Sequence, residues 1–171
     1  MAVLDRVVEV VAGLRGEQLA PGTPAGSFDL GHLCAIHRVL FQDIFAWAGQ
    51  VRTVDTEKQG QDFAPAAEIS DAVRRIHADL EDEAFLRGLG IEAFADRLAD
   101  YYYRMYAVHA FRDGNSRSLR YFCTALAAAA GYRLDFAALE RNAPYSACRD
   151  RYFNADGGPL RDCMRRIAAP A

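Results

Sequence analysis

Apolar residues recur along the chain at the spacing of three to four positions that places them on one face of an α-helix. Four such stripes are evident, and they span Leu30–Phe45, Ile69–Leu80, Ile91–Val108 and Leu119–Ala130. Asp29 precedes the first stripe as a candidate N-cap, and Gly49 follows it as a candidate stop. Gly131 is placed to cap the C-terminal end of the fourth. The pattern therefore predicts four substantial amphipathic helices.

Shorter apolar patterns predict further helices over Leu4–Leu14, Phe136–Arg141, Tyr145–Tyr152 and Pro159–Ile167. Only one region has the pattern of a strand. Val51–Asp55 alternates weakly, and Lys58–Phe63 has the composition of a turn followed by a return strand. The prediction is one mainly α-helical bundle with a small β-hairpin near residues 51–65. Residues 1–27 are predicted to form an N-terminal helix and a linker over residues 22–27, and residues 28–171 the main domain.

Composition narrows the class of protein. The 171 residues are 51% hydrophobic and 25% charged, which suffices for a core in one domain. The net charge of −3 disfavours a general nucleic-acid binder, although it permits a local basic pocket. No signal-peptide layout and no apolar run of ~18 residues is present, so we expect no membrane contact. The four cysteines lack a CxxC pair, which favours buried reduced thiols and a cytoplasmic location.

One segment, residues 109–120, lies between the third and fourth predicted helices and contains several residues of types that bind ligands or catalyse reactions. Asp113–Asn115 (Asp-Gly-Asn) is typical of a tight turn, and it opens directly into a helix. The N-terminus of a helix presents unpaired backbone N–H groups and a partial positive charge, so such a turn can bind phosphate. Phe111 is expected to anchor the loop in the core.

Charged side chains in the same segment extend this interpretation. Arg117 and Arg120 are three residues apart, which places both guanidinium groups on one helix face and suggests a di- or triphosphate ligand. Asp113 is a suitable Mg²⁺ ligand beside phosphate oxygens. His109 can act as a general base near neutral pH. Taken singly, each of these residues is more often structural, and it is their conjunction that indicates a site.

The segment His-Ala-Phe-Arg-Asp-Gly-Asn-Ser-Arg-Ser-Leu-Arg resembles the signature of Fic-domain proteins. Leu33–Phe41 and Phe45–Arg52 resemble the family's first core helix and its tryptophan-containing turn. Lys58–Pro65 resembles the family's flap. The resemblance covers about residues 28–167 and implies the Fic fold, with residues 28–171 as the catalytic domain.

The resemblance implies transfer of AMP from ATP, with Mg²⁺, to a Tyr, Ser or Thr hydroxyl of a target protein. His109 would be the catalytic base and Asp113 the metal ligand. The residues expected to bind the phosphates of ATP are Arg112, Gly114, Asn115, Ser116, Arg117 and Arg120. The flap would bind the target's main chain as an added strand. The flap residues assigned to this docking are Lys58, Gly60, Gln61, Asp62 and Phe63.

Ser116 departs from the family pattern, which usually has Gly at this position. A positive φ there would cost Ser about 1 kcal/mol, whereas a helical backbone would make it harmless, and tolerance is the favoured outcome. Three alternatives stay open: a Fic-type phosphotransferase, another nucleotidyl transferase, or an impaired nucleotide-binding or interaction module. A fourth, an effector domain delivered to host cells, is disfavoured because the sequence shows no secretion-type appendage.

Regulation also follows from the resemblance. Many Fic proteins carry an inhibitory [S/T]-x-x-x-E-[G/N] motif, and no segment here matches it: Thr53–Glu57 has the spacing, but Lys58 follows. The chain therefore resembles the toxin of a toxin–antitoxin pair. The implied partner is a small helical antitoxin whose Glu contacts Arg120, and the targets known for this class are type II topoisomerases. No direct contact with nucleic acid is expected.

Overall fold

The computed structural model describes residues 3–19 and 26–171, and its secondary structure is mainly helical. Within these residues the helices are α1 (Val3–Leu19), α2 (Leu30–Phe41), α3 (Ile69–Asp82), α4 (Ile91–Val108), α5 (Asn115–Ala129), α6 (Ala143–Asn154) and α7 (Gly158–Ile167). Short 3-10 turns occupy Ala66–Glu68, Ala84–Leu86 and Phe136–Ala138. The antiparallel strand pairs are β1 (Glu57–Lys58) with β2 (Gln61–Asp62), and β3 (Tyr132–Leu134) with β4 (Ala168–Pro170).

Helix α4 is the centre of the fold. It packs against α3, α5 and α7, while α2 lies against α1 and α5. Phe94, Leu98 and Tyr101 of α4 are at most 2% exposed. The apolar stripe of α4 continues along most of the helix, so its C-terminal end is held firmly by the core. The connection from α4 to α5, residues 109–114, therefore leaves from a rigid platform.

The long helices agree with those predicted from the apolar pattern. The predicted third helix has the bounds of α4, and α3 and α5 follow their predicted stripes. Asp29 is the N-cap of α2, where its Oδ1 accepts a hydrogen bond of 2.8 Å from the backbone N–H of His32. Gly131, directly after the last turn of α5, has φ +88°, the left-handed conformation that favours glycine.

Two predicted helices are shorter than the pattern suggested. Helix α2 ends at Phe41, and its apolar stripe continues in turns, because the N–H groups of Ile44 and Phe45 both bond to the Phe41 carbonyl at 2.9 Å. The prediction of a helix over Phe136–Arg141 is wrong beyond the first turn, since only the 3-10 turn Phe136–Ala138 forms. In contrast, α1 and α6 extend further than predicted.

The hairpin is present, but its first strand lies later in the sequence than predicted, at Glu57–Lys58 instead of Val51–Asp55. Val51–Asp55 is not a strand, because the N–H of Arg52 bonds to the carbonyl of Ala110 at 2.9 Å instead of to a neighbouring strand. The strands β1 and β2 pair Glu57 with Asp62 across a two-residue turn. Both turn residues have positive φ, Gln59 at 53° and Gly60 at 77°, which suits the right-handed twist of a hairpin.

The second strand pair, β3 with β4, was not predicted. Each strand has three residues, and β4 reads Ala-Ala-Pro, which carries no strand pattern. Its pairing with Tyr132–Leu134 joins segments that are far apart in sequence. The position of such short strands depends on how the neighbouring elements pack, and the spacing of apolar residues in the sequence does not predict that packing.

Two further expectations concern the cysteines and the linker. Cys34, Cys123, Cys148 and Cys163 are free thiols. Cys123 and Cys148 are buried as predicted, whereas Cys34 and Cys163 are only partly buried. Residues 22–25 of the predicted linker lie outside the described residues. Among the described helices, none combines the length and the apolar character needed to cross a membrane.

Candidate active site

His109 leaves α4 in an unusual backbone conformation. It is the C-cap of that helix, with φ 49° and ψ 59°, and its N–H bonds to the carbonyl of Met105 at 3.4 Å. A left-handed conformation at a residue other than glycine costs free energy, so the surrounding structure must hold it in place. The next two residues, Ala110 and Phe111, are at most 2% exposed, so the Phe111 side chain lies in the core, as an anchor of the loop would.

Asn115 closes the loop by bonding both backbone groups of Phe111. Its Oδ1 accepts from the Phe111 N–H at 2.9 Å, and its Nδ2 donates to the Phe111 carbonyl at 2.7 Å. Gly114 stands between them at φ +79°. A Cβ at Gly114 would lie 2.4 Å from the ring of Phe41, so both the backbone angle and the available space require glycine here.

His37 of α2 contacts the same loop on the side that faces the core. Its Nδ1 accepts from the Gly49 N–H at 2.8 Å, so its Nε2 carries the proton and donates to the Asp113 carbonyl at 3.1 Å. Its ring stacks on Phe111 with centroids 3.9 Å apart. Burial lowers the pKa of His37 to about 4, which keeps the imidazole neutral in this arrangement. The histidine is thus structural, and it connects the tryptophan-containing turn to the loop.

The imidazole of His109 is partly buried and electrostatically tuned. Burial lowers its pKa to about 4, and the positive charges of Lys58 and Arg52 act in the same direction. Asp113 opposes them. The ring stacks on Phe63 at 3.8 Å, and its Nδ1 is buried without a hydrogen-bond partner. Nε2 is therefore the ring nitrogen that is open to a substrate, and the lowered pKa keeps the imidazole neutral at pH 7.

Arg52 is a further residue of the site that the sequence reasoning did not single out. It is 2% exposed, and its guanidinium bonds only backbone carbonyls: to His109 at 2.8 Å, to Val54 at 2.7 Å, to Val108 at 3.2 Å, and to Ala64. These acceptors belong to the end of α4 and to the two segments flanking the hairpin. The sequence signal was a lone arginine in the weakly alternating stretch Val51–Asp55, which we interpreted as a strand.

A cleft of about 840 Å³ opens above the loop. All the residues predicted to bind phosphate line it, together with His109 and Asp113. The walls also include Tyr102 of α4 and four residues that the sequence reasoning missed, namely Arg141, Asn142, Tyr145 and Ser146. Among the described residues, its charged lining comprises five cations and one carboxylate, that of Asp113. The cations are Lys58, Arg112, Arg117, Arg120 and Arg141. The cleft is thus suited to a polyanion, although the protein as a whole is acidic.

The two arginines of α5 are already oriented by neighbouring elements. Arg117 donates from Nη1 to the Val8 carbonyl of α1 at 3.1 Å and lies over the ring of Phe41 at 4.8 Å. Burial lowers the pKa of Arg117, which is still protonated because an arginine's ordinary value is so high. Arg120 lies over the ring of Phe136 at 5.5 Å. Both side chains reach the cleft from the first turns of one helix.

Ser116 lies inside the first turn of α5 and is not among the residues with positive φ. The glycine-requiring angle of the loop falls instead on Gly114. The backbone strain considered for Ser116 therefore does not arise, and its exposed side chain lines the cleft.

The Asp113 side chain lines the cleft beside the residues predicted to bind phosphate. One oxygen, Oδ1, accepts from the Gly114 N–H at 2.6 Å. The described residues form no cluster of three His, Cys, Asp or Glu side chains that could hold a metal by themselves. A lone exposed carboxylate beside an anion cleft fits Mg²⁺, which takes one or two carboxylates and completes its shell with phosphate oxygens and water.

The flap, residues 57–63, covers one side of the cleft. The side chains of Lys58 and Asp62 are exposed, as is Gly60, whereas Gln61 is fully buried and Phe63 is 8% exposed. Gln61 accepts at Oε1 from the Tyr106 hydroxyl at 2.8 Å. Gln61 and Phe63 therefore fasten the flap to α4, and any docking on the flap must use its backbone and its exposed residues.

Helix α6 holds the other side of the flap. Arg149 donates to the Gln59 side chain at 2.9 Å and to its carbonyl at 3.3 Å, and the ammonium of Lys58 lies 5.1 Å from the ring of Tyr145. The hairpin is only two residues long on each strand, so these contacts add to a pairing that is weak on its own.

The site geometry agrees with the comparisons with known proteins. The profile of the Fic/DOC family matches residues 27–127, more than half of the chain. The protein adenylyltransferase VbhT of Bartonella schoenbuchensis is 38% identical over 156 residues, which are 91% of this chain and 33% of that protein. The "probable protein adenylyltransferase Fic" of Salmonella typhimurium is 46% identical over 107 residues, which are 63% of this chain and 54% of that protein.

Among solved structures, the BepC protein of Bartonella tribocorum with bound AMPPNP matches with a TM-score of 0.93 at 25% identity. The match covers 98% of this chain and 87% of that chain. The chain spans between a third and about half of the length of the two curated relatives. From its sequence and its architecture, the chain belongs to the Fic/DOC family.

Proposed function

We propose that this chain transfers AMP from ATP to a Tyr, Ser or Thr hydroxyl of a target protein. The observation that carries the proposal is the position of a neutral imidazole, His109, in the same cleft as Arg117, Arg120 and the N-terminus of α5. A base and a polyanion site within one cleft are the two parts that transfer from a nucleoside triphosphate to a hydroxyl requires. The curated relatives named as protein adenylyltransferases support the same activity.

In the proposed reaction, His109 accepts the hydroxyl proton at Nε2 as the target oxygen attacks the α-phosphorus. The bond between the α-phosphorus and the oxygen bridging to the β-phosphorus breaks, and pyrophosphate leaves. The unpaired N–H groups in the first turn of α5, at Asn115, Ser116 and Arg117, stabilise phosphate oxygens. Arg117 and Arg120 bind the β- and γ-phosphates, and Arg112 and Gly114 line the same anion site.

Asp113 would hold Mg²⁺ together with the phosphates. The ion would supply charge neutralisation on the triphosphate. The protein's own part is positional, since His37 and Asn115 fix the loop and Arg52 fixes the backbone of His109. The flap would bind the target's main chain as an added strand, with Lys58, Gly60 and Asp62 on its exposed surface.

We further propose that the protein acts in the cytoplasm as the toxin of a toxin–antitoxin pair. The partner would be a small helical protein whose Glu contacts Arg120, which is accessible from the cleft. The support for this proposal is the resemblance of the chain to the toxin of such a pair. Type II topoisomerase subunits are the first candidate targets, on the family resemblance alone.

The test is incubation of the purified protein with ATP labelled at the α- or the γ-phosphate, with Mg²⁺ and a bacterial lysate. We expect label from α-labelled ATP on a lysate protein, loss of it with His109→Ala, and retention with His77→Ala. His77 is a matched control because it pairs with Glu81 on α3 at 3.5 Å and does not line the cleft. Transfer of the γ-label would indicate a phosphotransferase, and binding of ATP without transfer of either label would indicate a binding module.

A further inference from the structure

Arg141 links the phosphate cleft to a second cavity beneath α1. This cavity, of about 390 Å³, is lined by Glu9 and Gly13 of α1 and by Arg117, Arg120 and Arg141. Arg141 lines the main cleft as well. Neither Glu9 nor Arg141 falls within the residues that the family profile matches, so nothing in that match assigns them a role.

Glu9 and Arg141 form an ion pair with Nη1 and Oε1 2.7 Å apart. The side chains are 43% and 68% exposed, respectively. Exposed ion pairs contribute little to stability, so another anion can displace the carboxylate at small cost. The arginine is therefore held near the cleft by a partner that it can exchange.

The surroundings of Arg141 bring it close to the two arginines of α5. Arg120 donates from Nη2 to the backbone carbonyl of Arg141 at 2.5 Å. The positive charge of Arg141 lowers the pKa of Arg117, and the negative charge of Glu9 raises it. Three guanidinium groups thus converge at one end of the cleft with Glu9 as the nearby counter-ion.

We propose that Arg141 is a third arginine for the terminal phosphates of the nucleotide, and that Glu9 is its counter-ion in the absence of nucleotide. The inference rests on the proposed function, since it concerns the same triphosphate. A phosphate oxygen replaces the Glu9 carboxylate on Arg141, and α1 is released from this one contact. Arg141 consequently favours nucleotides with a γ-phosphate over those with an α-phosphate alone.

A purely structural role for the pair makes a different prediction. If the pair only fastened α1 to the domain, removal of either partner would have the same effect on nucleotide binding. As a phosphate ligand and its competitor, the two residues must act differently: removal of Arg141 weakens nucleotide binding, whereas neutralising Glu9 does not weaken it, because Arg141 is then free for the phosphate.

The experiment measures binding of ATP, ADP and AMP with Mg²⁺ by calorimetry in a His109→Ala parent, which prevents turnover. We expect Arg141→Met to weaken ATP about fivefold or more while AMP changes little, as the loss of a charge-assisted contact would. Glu9→Gln should leave ATP binding equal or tighter. Arg74→Met and Asp71→Asn are the matched controls, because Arg74 and Asp71 form an exposed pair at 2.9 Å on α3 outside the cleft.

Unchanged ATP affinity in Arg141→Met, or an equal loss for ATP and AMP, would overturn the inference while leaving the proposed function intact. Equal weakening by Arg141→Met and Glu9→Gln would also overturn it, in favour of a structural pair. A parent protein that binds none of the three nucleotides would instead contradict the proposed function, and the inference with it. Arg141 is exposed, so its substitution should not unfold the protein, and a melting curve for each variant checks this.

Discussion

The guanidinium of Arg52 donates to the backbone carbonyl of His109 over 2.8 Å, and it reaches the carbonyls of Val108, Val54 and Ala64 with its other nitrogens. Among the described residues, this buried arginine donates hydrogen bonds to backbone carbonyls and to no carboxylate. Burial lowers its pKa, and the negative charge of Asp55 acts in the opposite direction. Its function is therefore geometric. It joins the strained end of α4 to the two segments from which the flap emerges.

Arg52→Met and Arg52→Lys should both lower kcat, and we expect about a hundredfold loss for Met, because a small displacement of a catalytic base is costly. KM for ATP should change little, since Arg52 does not line the cleft. Lys keeps the charge but lacks the planar fork, so it should restore only part of the rate. Steady-state kinetics with labelled ATP measure both constants.

Arg87→Met is the matched control for Arg52, because Arg87 also donates to a backbone carbonyl, that of Ala129 at 3.1 Å, but outside the cleft. Melting curves separate a loss of fold from a loss of rate. A folded Arg52→Met protein with the wild-type kcat would contradict the positioning role.

Gly114 and Ser116 should respond in opposite ways to exchange of their side chains. Gly114→Ala places a Cβ 2.4 Å from the ring of Phe41 at φ +79°, so we expect a loss of at least about 2 kcal/mol in the free energy of unfolding and loss of transfer. Ser116→Gly should keep activity within about twofold, with a stability change of no more than about 1 kcal/mol, because Ser116 is helical. Denaturant unfolding and the transfer assay measure both. A large gain of activity in Ser116→Gly would show that serine impairs the anion site.

Asn115 can be tested with a substitution that preserves its shape. Asn115→Asp keeps the acceptor for the Phe111 N–H but replaces the Nδ2 donor with an oxygen that faces the Phe111 carbonyl. The loop should lose about 1–3 kcal/mol, and nucleotide affinity should fall with the added negative charge. Asn115→Ala loses both bonds without adding charge, so comparison of the two separates repulsion from lost hydrogen bonding. Calorimetric ATP binding and denaturant unfolding provide the measurements.

Acidification should destabilise the protein between about pH 6.5 and pH 4. His37 and His109 have a pKa of about 4 in the folded chain, whereas the ordinary value is 6.5. Between these values the unfolded chain binds more protons, so the free energy of unfolding falls as the pH falls, by an amount on the order of 3 kcal/mol per histidine.

His109→Gln should remove its share of this pH dependence. Carboxylates whose pKa is lowered, such as Asp29, contribute equally to both proteins, so the difference between the two curves isolates the histidine. Urea unfolding at several pH values provides the curves. Parallel curves for the wild type and His109→Gln would show that burial does not lower the pKa of His109.

The anchor of the flap can be loosened without disturbing the cleft chemistry. Tyr106→Phe removes the hydroxyl that donates to Gln61 at 2.8 Å, and the buried amide of Gln61 then has no partner among the described residues, since its Nε2 already has none. The cost should be about 1–3 kcal/mol, concentrated in the flap. Hydrogen exchange at residues 57–63 should speed up, and KM for the target protein should rise more than KM for ATP.

Tyr103→Phe is the control for Tyr106→Phe, because Tyr103 makes its contacts through its ring, with Arg151 at 4.4 Å and with the ring of Tyr106 at 6.4 Å, and phenylalanine preserves both. Unchanged exchange at residues 57–63 in Tyr106→Phe would show that Phe63 and Arg149 hold the flap by themselves.

The sequence by itself determined the helices with strong apolar stripes. Burial of one helix face requires apolar residues every three to four positions, and this spacing can be read from one sequence. It also identified the loop residues His109–Arg120, since turn residues, a helix start and spaced arginines each have a local physical meaning. The family resemblance then gave these residues their expected roles. Local patterns were sufficient for features whose partners are close in sequence.

Only the tertiary structure decided which distant residues complete the site. Arg52 and His109 meet across 57 positions, and Glu9 and Arg141 across 132, so no periodicity connects either pair. The same holds for Gln61, whose side chain faces Tyr106 instead of solvent. It also holds for β4, which pairs with β3 through backbone groups, and these are nearly the same in every residue type. Contacts of this kind depend on how the helices pack, and the free energy that selects them comes from the whole core.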